Sequence, residues 1–557
     1  MRDLVGRALA PHRPILALTL LAAVLYLPSV WLRDPWSPDE PRYAEVAREM
    51  VSSGEYILPH INGEVYAEKP PLFFWLGILA GSIPGVPFES GTRLVSVISA
   101  WGCLVLTFQL GRRYADAATG WLAALVLATS GMFVVHASAG VIDATLTFLV
   151  TAALATGLRA REERSPVIWA AFYGLIGLAL ITKGPVGLAI PAGVIFLLAL
   201  QEDGRRVWAA HAAWGLLLSL CVAALWVLPA IARGGPEYAG AILLKQNLGR
   251  AWQSWHHKEP AGYFLKVFPA SFLPWIVVLP TAIYGAARSF KRQRGSKLAL
   301  TWFLFTFLFF SVISGKKTRY LLPLCPAASL LVAMELRAVA SRAAGRLRSL
   351  LPLLAMAATV GLAGLALTAA GTGFGVQALP ALTDLAADQR AAFLSLVTYP
   401  GSLVFFLPGL LIVTLALAIL IALRWGRTEA IAVLATAWIL LTGWAAWVAV
   451  PALNGLKSSR VLAEAVESHA GPAGPVILYR ETFGGVFNLH LRRDRIPAVS
   501  GLSRIDDFLR DNPGGVVIAH WRDTQRLQSR VPALLAFECR RIGEDTVCAS
   551  RLSPPTQ

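Results

Sequence analysis

Runs of apolar residues, each roughly 18 to 25 residues long, recur along most of this chain, and no other feature constrains its fold as strongly. A helix of that length spans a hydrocarbon layer about 30 Å thick, and its repetition is the pattern of a polytopic protein, not of a single anchor or signal peptide. Such stretches lie at 14–32, 91–110, 117–136, 141–158, 165–182, 184–200, 207–232, 264–287, 298–314, 319–336, 350–371, 402–423 and 428–450, about thirteen in all. With 56% hydrophobic and 15% charged residues, a chain of 557 residues cannot cover a water-facing surface at the usual polar density. The expected fold class is a polytopic α-helical membrane protein.

One further stretch, Pro70 to Pro84, is apolar but short, opens with two prolines and contains glycine. Charge decides how to read it. The net charge of +17 would suggest nucleic acid in a soluble protein, but the basic residues sit mostly in short connectors between apolar runs, which is a topology signal. If Pro70 to Pro84 does not cross, the N-terminal Arg2, Arg7 and Arg13 share a side with Arg112 and Arg113, with Arg159, Arg161 and Arg164, and with Arg205 and Arg206. The basic clusters at 288–297, 337–348 and 424–427 fall on that side too. Counting the stretch as a span would put nearly all of these charges outside. It is therefore read as an interfacial or re-entrant helix. The N-terminus is expected in the cytoplasm of a bacterial inner membrane, with the C-terminus in the periplasm. The expected units are a membrane domain over 1–455, with large extracytoplasmic loops at 33–90 and 233–262, and a periplasmic α/β domain over 456–557. In that last region β-like runs at 476–479 and 516–519 alternate with helical stretches such as Arg504 to Arg510.

Of the five cysteines, Cys103, Cys221 and Cys325 lie inside apolar runs and show no zinc-type spacing. Cys539 and Cys548 flank a hairpin-like turn, where either a disulfide or two buried thiols would fit.

The polar residues concentrate in the loops. Ser37 and Pro38 followed by acidic residues read as a helix start with carboxylates in its first turn. Asp39 and Glu40 could serve only to cap that helix. Yet Asp39, Arg42 and Tyr43 fall at i, i+3 and i+4 and share a face, which makes them a candidate site. Two prolines fix the chain after Lys69, whose ammonium either snorkels to headgroups or, with Glu68 beside it, binds a phosphate or a metal. Asp143 begins a span, Lys183 lies in Thr182-Lys183-Gly184-Pro185, and Lys316, Lys317, Arg319 and Tyr320 cluster after another span. Ionisable groups at membrane depth default to function, although Asp143 and Lys183 would also suit a structural ion pair. The 233–262 loop adds Lys245, Arg250, His256, His257 and Lys258 among tryptophans that read first as an interfacial belt. Carboxylates among fixed cations on one side suit an anionic substrate, in which the cations hold a phosphate while a carboxylate orients or deprotonates a nucleophile. No P-loop, haem or Rossmann motif stands near them, so no nucleotide is expected.

Pro38-Asp39-Glu40-Pro41-Arg42-Tyr43-Ala44-Glu45, then Tyr66-Ala67-Glu68-Lys69-Pro70-Pro71-Leu72, the helix start at Asp143, Thr182-Lys183-Gly184-Pro185, and Ser314 to Pro323 resemble, in order and spacing, the ArnT-like branch of the dolichyl-phosphate-mannose protein mannosyltransferase superfamily. The resemblance covers about the first 340 residues. It implies a GT-C fold and transfer of a sugar from a polyprenyl (undecaprenyl) phosphate carrier to an acceptor, best guessed as 4-amino-4-deoxy-L-arabinose to lipid A phosphate, a modification that gives polymyxin resistance. It makes Asp39 the main catalytic carboxylate, with Asp143 and Lys183 a second polar pair. Arg42, Tyr43, Tyr66, Lys69, Arg250, Lys316 and Tyr320 become donor-binding residues, and Glu68 a metal ligand (Zn, Mg or Mn), with His256 as its tentative companion. The implied partners are the lipid-linked donor, lipid A or another envelope acceptor and membrane lipids, with no nucleic acid; a monomer is expected. The chain departs from the family at Gly315-Lys316-Lys317-Thr318-Arg319-Tyr320, where ArnT enzymes typically read Gly-Lys-Leu-Pro-Thr-Tyr. A protein or other envelope glycan as acceptor is the rival within this class. A transporter or flippase is the rival outside it, and would show paired internal repeats, which the sequence lacks.

Overall fold

The computed structural model describes residues 13–202, 205–243, 259–341, 351–371, 403–425, 427–480 and 485–551, apart from 532–533, 535–536 and 543–544. Each of the thirteen apolar stretches falls on helix. Among the described residues eight helices are long and apolar enough to cross a membrane unaided, and a ninth crossing results if Ala117–Ala128 and Gly131–Ala137, bent by 69°, form one span. Two of the thirteen stretches fall short for local reasons. The 264–287 stretch is broken into Tyr263–Ser271, a 3-10 turn at Trp275–Val277 and Leu279–Ser289, because Pro269, Pro274 and Pro280 remove backbone donors along it. Val186–Glu202 reaches only 17 residues.

The short stretch after Lys69 forms the helix Leu72–Gly81, ten residues or about 15 Å, half the thickness of a hydrocarbon layer. It lies against the start of Gly91–Tyr114, where glycines allow the backbones to touch: a Cβ on Gly91 would run into the Gly77 carbonyl and the Gly81 backbone. Phe73 and Phe74 of this helix pack with Tyr43, Val46 and Met50 of the helix Asp39–Ser53 and with Val141 and Ile142 at the head of a span. The first loop thus has an apolar core of its own, fused to one end of the bundle.

The C-terminal region is a five-stranded sheet in the order β4-β3-β5-β7-β6, from β3 (Val476–Tyr479), β4 (Ala498–Val499), β5 (Val516–His520), β6 (Glu538–Ile542) and β7 (Asp545–Arg551). β4, β3 and β5 run parallel, and β7 and β6 close the sheet antiparallel. Strand alternation sends Val476 and Leu478 to one face, against Leu462, Val466 and Phe487, and Ile477 and Tyr479 to the other, against Ile505, Leu509 and Leu527. Burial on both faces is why β3 reads as an unbroken apolar run. Cys539 and Cys548 face each other across the β6–β7 hairpin and are joined by a disulfide.

This sheet domain docks on the first loop. A two-residue Asn62-Gly63 turn, both residues at positive φ, closes the hairpin of β1 (His60–Ile61) and β2 (Glu64–Val65). Buried Asn62 accepts from the Ile496 N–H (2.7 Å) and the Asn488 amide (2.8 Å), and donates to the Ile496 carbonyl (3.0 Å). Arg48 pairs with Asp494 at 2.9 Å, and Arg460 with Asp34 at 3.1 Å. The first loop and the C-terminal domain therefore lie at the same end of the bundle.

Candidate active site

Local sequence rules place each charged group at a chain end that faces this junction. The helix Pro166–Lys183 starts with Ser165 accepting the Ile168 N–H and with proline in its first turn, and it stops at Gly184 at φ 72°, which leaves Lys183 as its last residue. Ile142–Glu163 carries Asp143 in its first turn, where the helix dipole favours a carboxylate. Asp39–Ser53 begins two residues beyond Ser37, which makes no cap bond there. Arg319 stands in the 3-10 turn Thr318–Leu324 that leads into Cys325–Ser341.

Four segments bring four charges into line. Lys183 contacts Asp143, the Arg319 Nε lies 3.7 Å from the Asp143 Oδ2, and the Arg319 Nη1 contacts the Asp39 Oδ2. Two carboxylates thus share two cations, and the paired charges are compensated even where they are buried. The Lys183 ammonium also lies 4.7 Å from the Tyr320 ring centre, and that ring packs on Phe310. Burial alone would raise the Asp39 carboxyl, but the neighbouring Arg319 guanidinium and the charge of Lys317 hold it below the ordinary carboxylate range.

Beside this line, Arg42 pairs with Glu68 at 3.3 Å and lies 5.8 Å from the Tyr66 ring centre. Tyr43 and Tyr66 are buried, both edge-on to Phe74. The Lys69 ammonium donates to the Glu68 carbonyl at 3.1 Å. Lys316 turns away from the acids and is buried against the Glu259 carbonyl, to which it donates at 2.9 Å. Arg319 and the charge of Lys317 act on Asp39. Arg250 and His256 lie outside the described residues.

A second carboxylate centre lies one residue from Asp39. Glu40 receives Arg33 through both guanidinium nitrogens, at 2.7 and 2.8 Å, with Arg93 at 3.6 Å, and it accepts the backbone N–H groups of Trp36 and Gly140. Gly140 lies two residues before the helix of Asp143. Glu40 thus ties the start of Asp39's helix to the start of Asp143's.

A family model described as Dolichyl-phosphate-mannose-protein mannosyltransferase matches residues 13–244. The chain is 34% identical over 340 residues to the undecaprenyl phosphate-alpha-4-amino-4-deoxy-L-arabinose arabinosyl transferase of Shewanella sediminis, a match covering 58% of this chain and 60% of that protein. It is 33% identical to the protein of the same name from Edwardsiella ictaluri, over 55% of this chain and 56% of that one. The matched part thus spans about three-fifths of the length of these relatives. The crystal structure of ArnT from Cupriavidus metallidurans bound to undecaprenyl phosphate superposes with a TM-score of 0.76 and 22% identity, over 97% of this chain and 98% of that one. The chain has the GT-C fold of the Cupriavidus protein.

The family-model match takes in Asp39, Asp143 and Lys183 and stops short of Arg319 and Tyr320. Of the two residues expected at a metal, only Glu68 is among the described residues. Its carboxylate lies against the Arg42 cation, and no three His, Cys, Asp or Glu residues cluster for a metal among the described residues. The sequence reading passed over Arg319 as one basic residue among several, and took Glu40 with Asp39 as a cap. Arg319 carried a signal in its place within a segment that departs from the ArnT pattern. Glu40, Arg33 and Arg93 carried none, because their meeting is purely tertiary.

Proposed function

We propose that this protein moves a sugar from a polyprenyl phosphate carrier to an acceptor at the membrane surface, with 4-amino-4-deoxy-L-arabinose and a lipid A phosphate as the preferred pair. The observation that carries this reading is the line Lys183–Asp143–Arg319–Asp39, assembled from four segments at the end of the bundle where the first loop and the C-terminal domain meet. The relatives' names and the undecaprenyl phosphate bound to the Cupriavidus protein supply the substrate class.

In the proposed reaction the bond between the sugar's anomeric carbon and the phosphate oxygen breaks as an acceptor oxygen attacks from the opposite face, inverting the centre. The leaving phosphate is held by Lys69 and Arg250. Asp39 orients the acceptor and takes its proton if it is a hydroxyl; an acceptor phosphate is already ionised and needs positioning only. The positive-inside bias places this end of the bundle in the periplasm, with the N-terminus in the cytoplasm. The disulfide in the C-terminal domain suits that oxidising compartment.

A second reading, another lipid-linked sugar passed to a protein or other envelope glycan, is favoured by Arg319, which stands where ArnT enzymes typically have threonine. Purified protein given radiolabelled undecaprenyl-phosphate aminoarabinose and lipid A tests both. Label on lipid A, lost in Asp39→Asn, is the expected result. An Asp39→Asn variant working at the wild-type rate would falsify the mechanism, and label on a different envelope acceptor would replace the first reading with the second.

A further inference from the structure

We propose that Arg319 is an anion-responsive latch on Asp39: it holds the carboxylate while the site lacks an anion, and passes to the carrier phosphate as that phosphate becomes the leaving group. The inference rests on the sugar-transfer reading above.

Three observations carry it. Arg319 lies between two carboxylates on separate segments, in contact with Asp39 and 3.7 Å from Asp143, and its planar fork of N–H donors matches a phosphate as well as a carboxylate. Its side chain is 20% exposed, within reach of an incoming anion, whereas Arg33 and Arg93 beside Glu40 are 3% and 1% exposed and closed in. Finally, the compensation is asymmetric. Asp143 keeps Lys183 when Arg319 turns away, whereas Asp39 loses the one cation in direct contact with it among the described residues. A move of Arg319 therefore acts on Asp39 and leaves the rest of the line balanced.

The chemistry makes such a move productive. The donor phosphodiester carries one negative charge. When its bond to the sugar breaks, the electron pair stays on the phosphate oxygen and a second charge develops, while the acceptor oxygen bonds to the anomeric carbon and a hydroxyl acceptor's proton goes to Asp39. A guanidinium drawn to the phosphate stabilises the leaving group, and in the same motion leaves Asp39 more basic at the moment it must take the proton. With an already ionised acceptor, only the leaving-group half operates.

The test is binding of undecaprenyl monophosphate to the full-length protein in nanodiscs, comparing wild type, Asp39→Asn, Arg319→Met and the double variant. If Asp39 occupies the arginine about nine-tenths of the time, Asp39→Asn should tighten binding about ten-fold. Arg319→Met should weaken binding, and the double variant should lose the gain from Asp39→Asn. Unchanged or weaker binding by Asp39→Asn overturns the latch alone. Failure of every form to bind the lipid overturns the sugar-transfer reading and the latch with it. A gain seen with lipid A but not with undecaprenyl phosphate assigns the competing anion to the acceptor and overturns the leaving-group role. With a hydroxyl acceptor, the pH profile of kcat/KM, which reports the free enzyme, supplies a second measurement: Arg319→Met should move the acidic limb up by about one unit or more, and Arg319→Lys should bring it back. A rate lowered equally at every pH would mean that Arg319 is only structural.

Discussion

Asp39 and Glu40 are neighbours in one helical turn, and both are held below the ordinary carboxylate range by arginines, yet they sit in opposite kinds of surroundings. Glu40 is met by two buried guanidinium groups and two backbone N–H groups, so its acceptor sites are filled from four directions. Asp39 meets one partly exposed arginine, which it shares with a second acid. A closed centre of this kind fixes chain segments relative to one another, whereas an open one can exchange partners. Chemistry therefore belongs at Asp39, and the geometry that chemistry needs is set next door.

The strongest challenge to this contrast is Glu40→Gln. It leaves Arg33 and Arg93 without a buried counter-charge, which should cost about 3–5 kcal/mol and show as lost monodisperse protein and a lowered thermal midpoint in detergent. A variant as stable as wild type would dissolve the distinction. Asp39→Asn should do the reverse, lowering transfer by about 10²–10⁴-fold while leaving the thermal midpoint close to that of wild type. Unfolding of that variant would make Asp39 structural as well.

A smaller effect is expected where the β1–β2 hairpin of the first loop meets the C-terminal domain. Asn62→Ala removes three buried hydrogen bonds and should cost about 1–3 kcal/mol, seen as faster hydrogen exchange around Ile496. Unchanged exchange there would show that the ion pairs of Arg48 and Arg460 dock the domain without it.

The smallest effect is on pH dependence. Burial pushes the Glu45 carboxyl up to about 7, against the pull of Arg48, with Glu49 and Asp494 adding to the rise. The folded protein then binds more protons than the unfolded chain between the ordinary carboxylate range and about pH 7, so stability should fall as pH rises through that window and level off above it. Asp39 and Glu40, with lowered values, contribute stability that is present at neutral pH and lost only in more acid solution. Thermal melts from pH 5 to 8 should therefore slope downward in wild type and flatten in Glu45→Gln. A slope that persists would point to Glu49, which burial also raises.

Much of the framework could be read along the chain. Apolar run length marked the helical stretches of the bundle, and prolines and glycines marked the ends that present Lys183 and Asp143. The short helix after Lys69 was identified from charge bias before its ten residues were seen to be too few to cross. The breaks at Pro269, Pro274 and Pro280 were visible as residues but not weighed, and the Asn62-Gly63 turn, a strong hairpin signal, was passed over.

The division has a physical cause. Helix length, capping and charge bias depend on neighbours within a few residues, so the membrane class of this protein, its β-strands and the rough location of its polar ends follow from the order of its amino acids. Ion pairing depends on distance through space. That Asp39 meets Arg319, 280 positions away, while the adjacent Glu40 meets Arg93, was decided only when the segments packed, because no local periodicity relates residues so far apart.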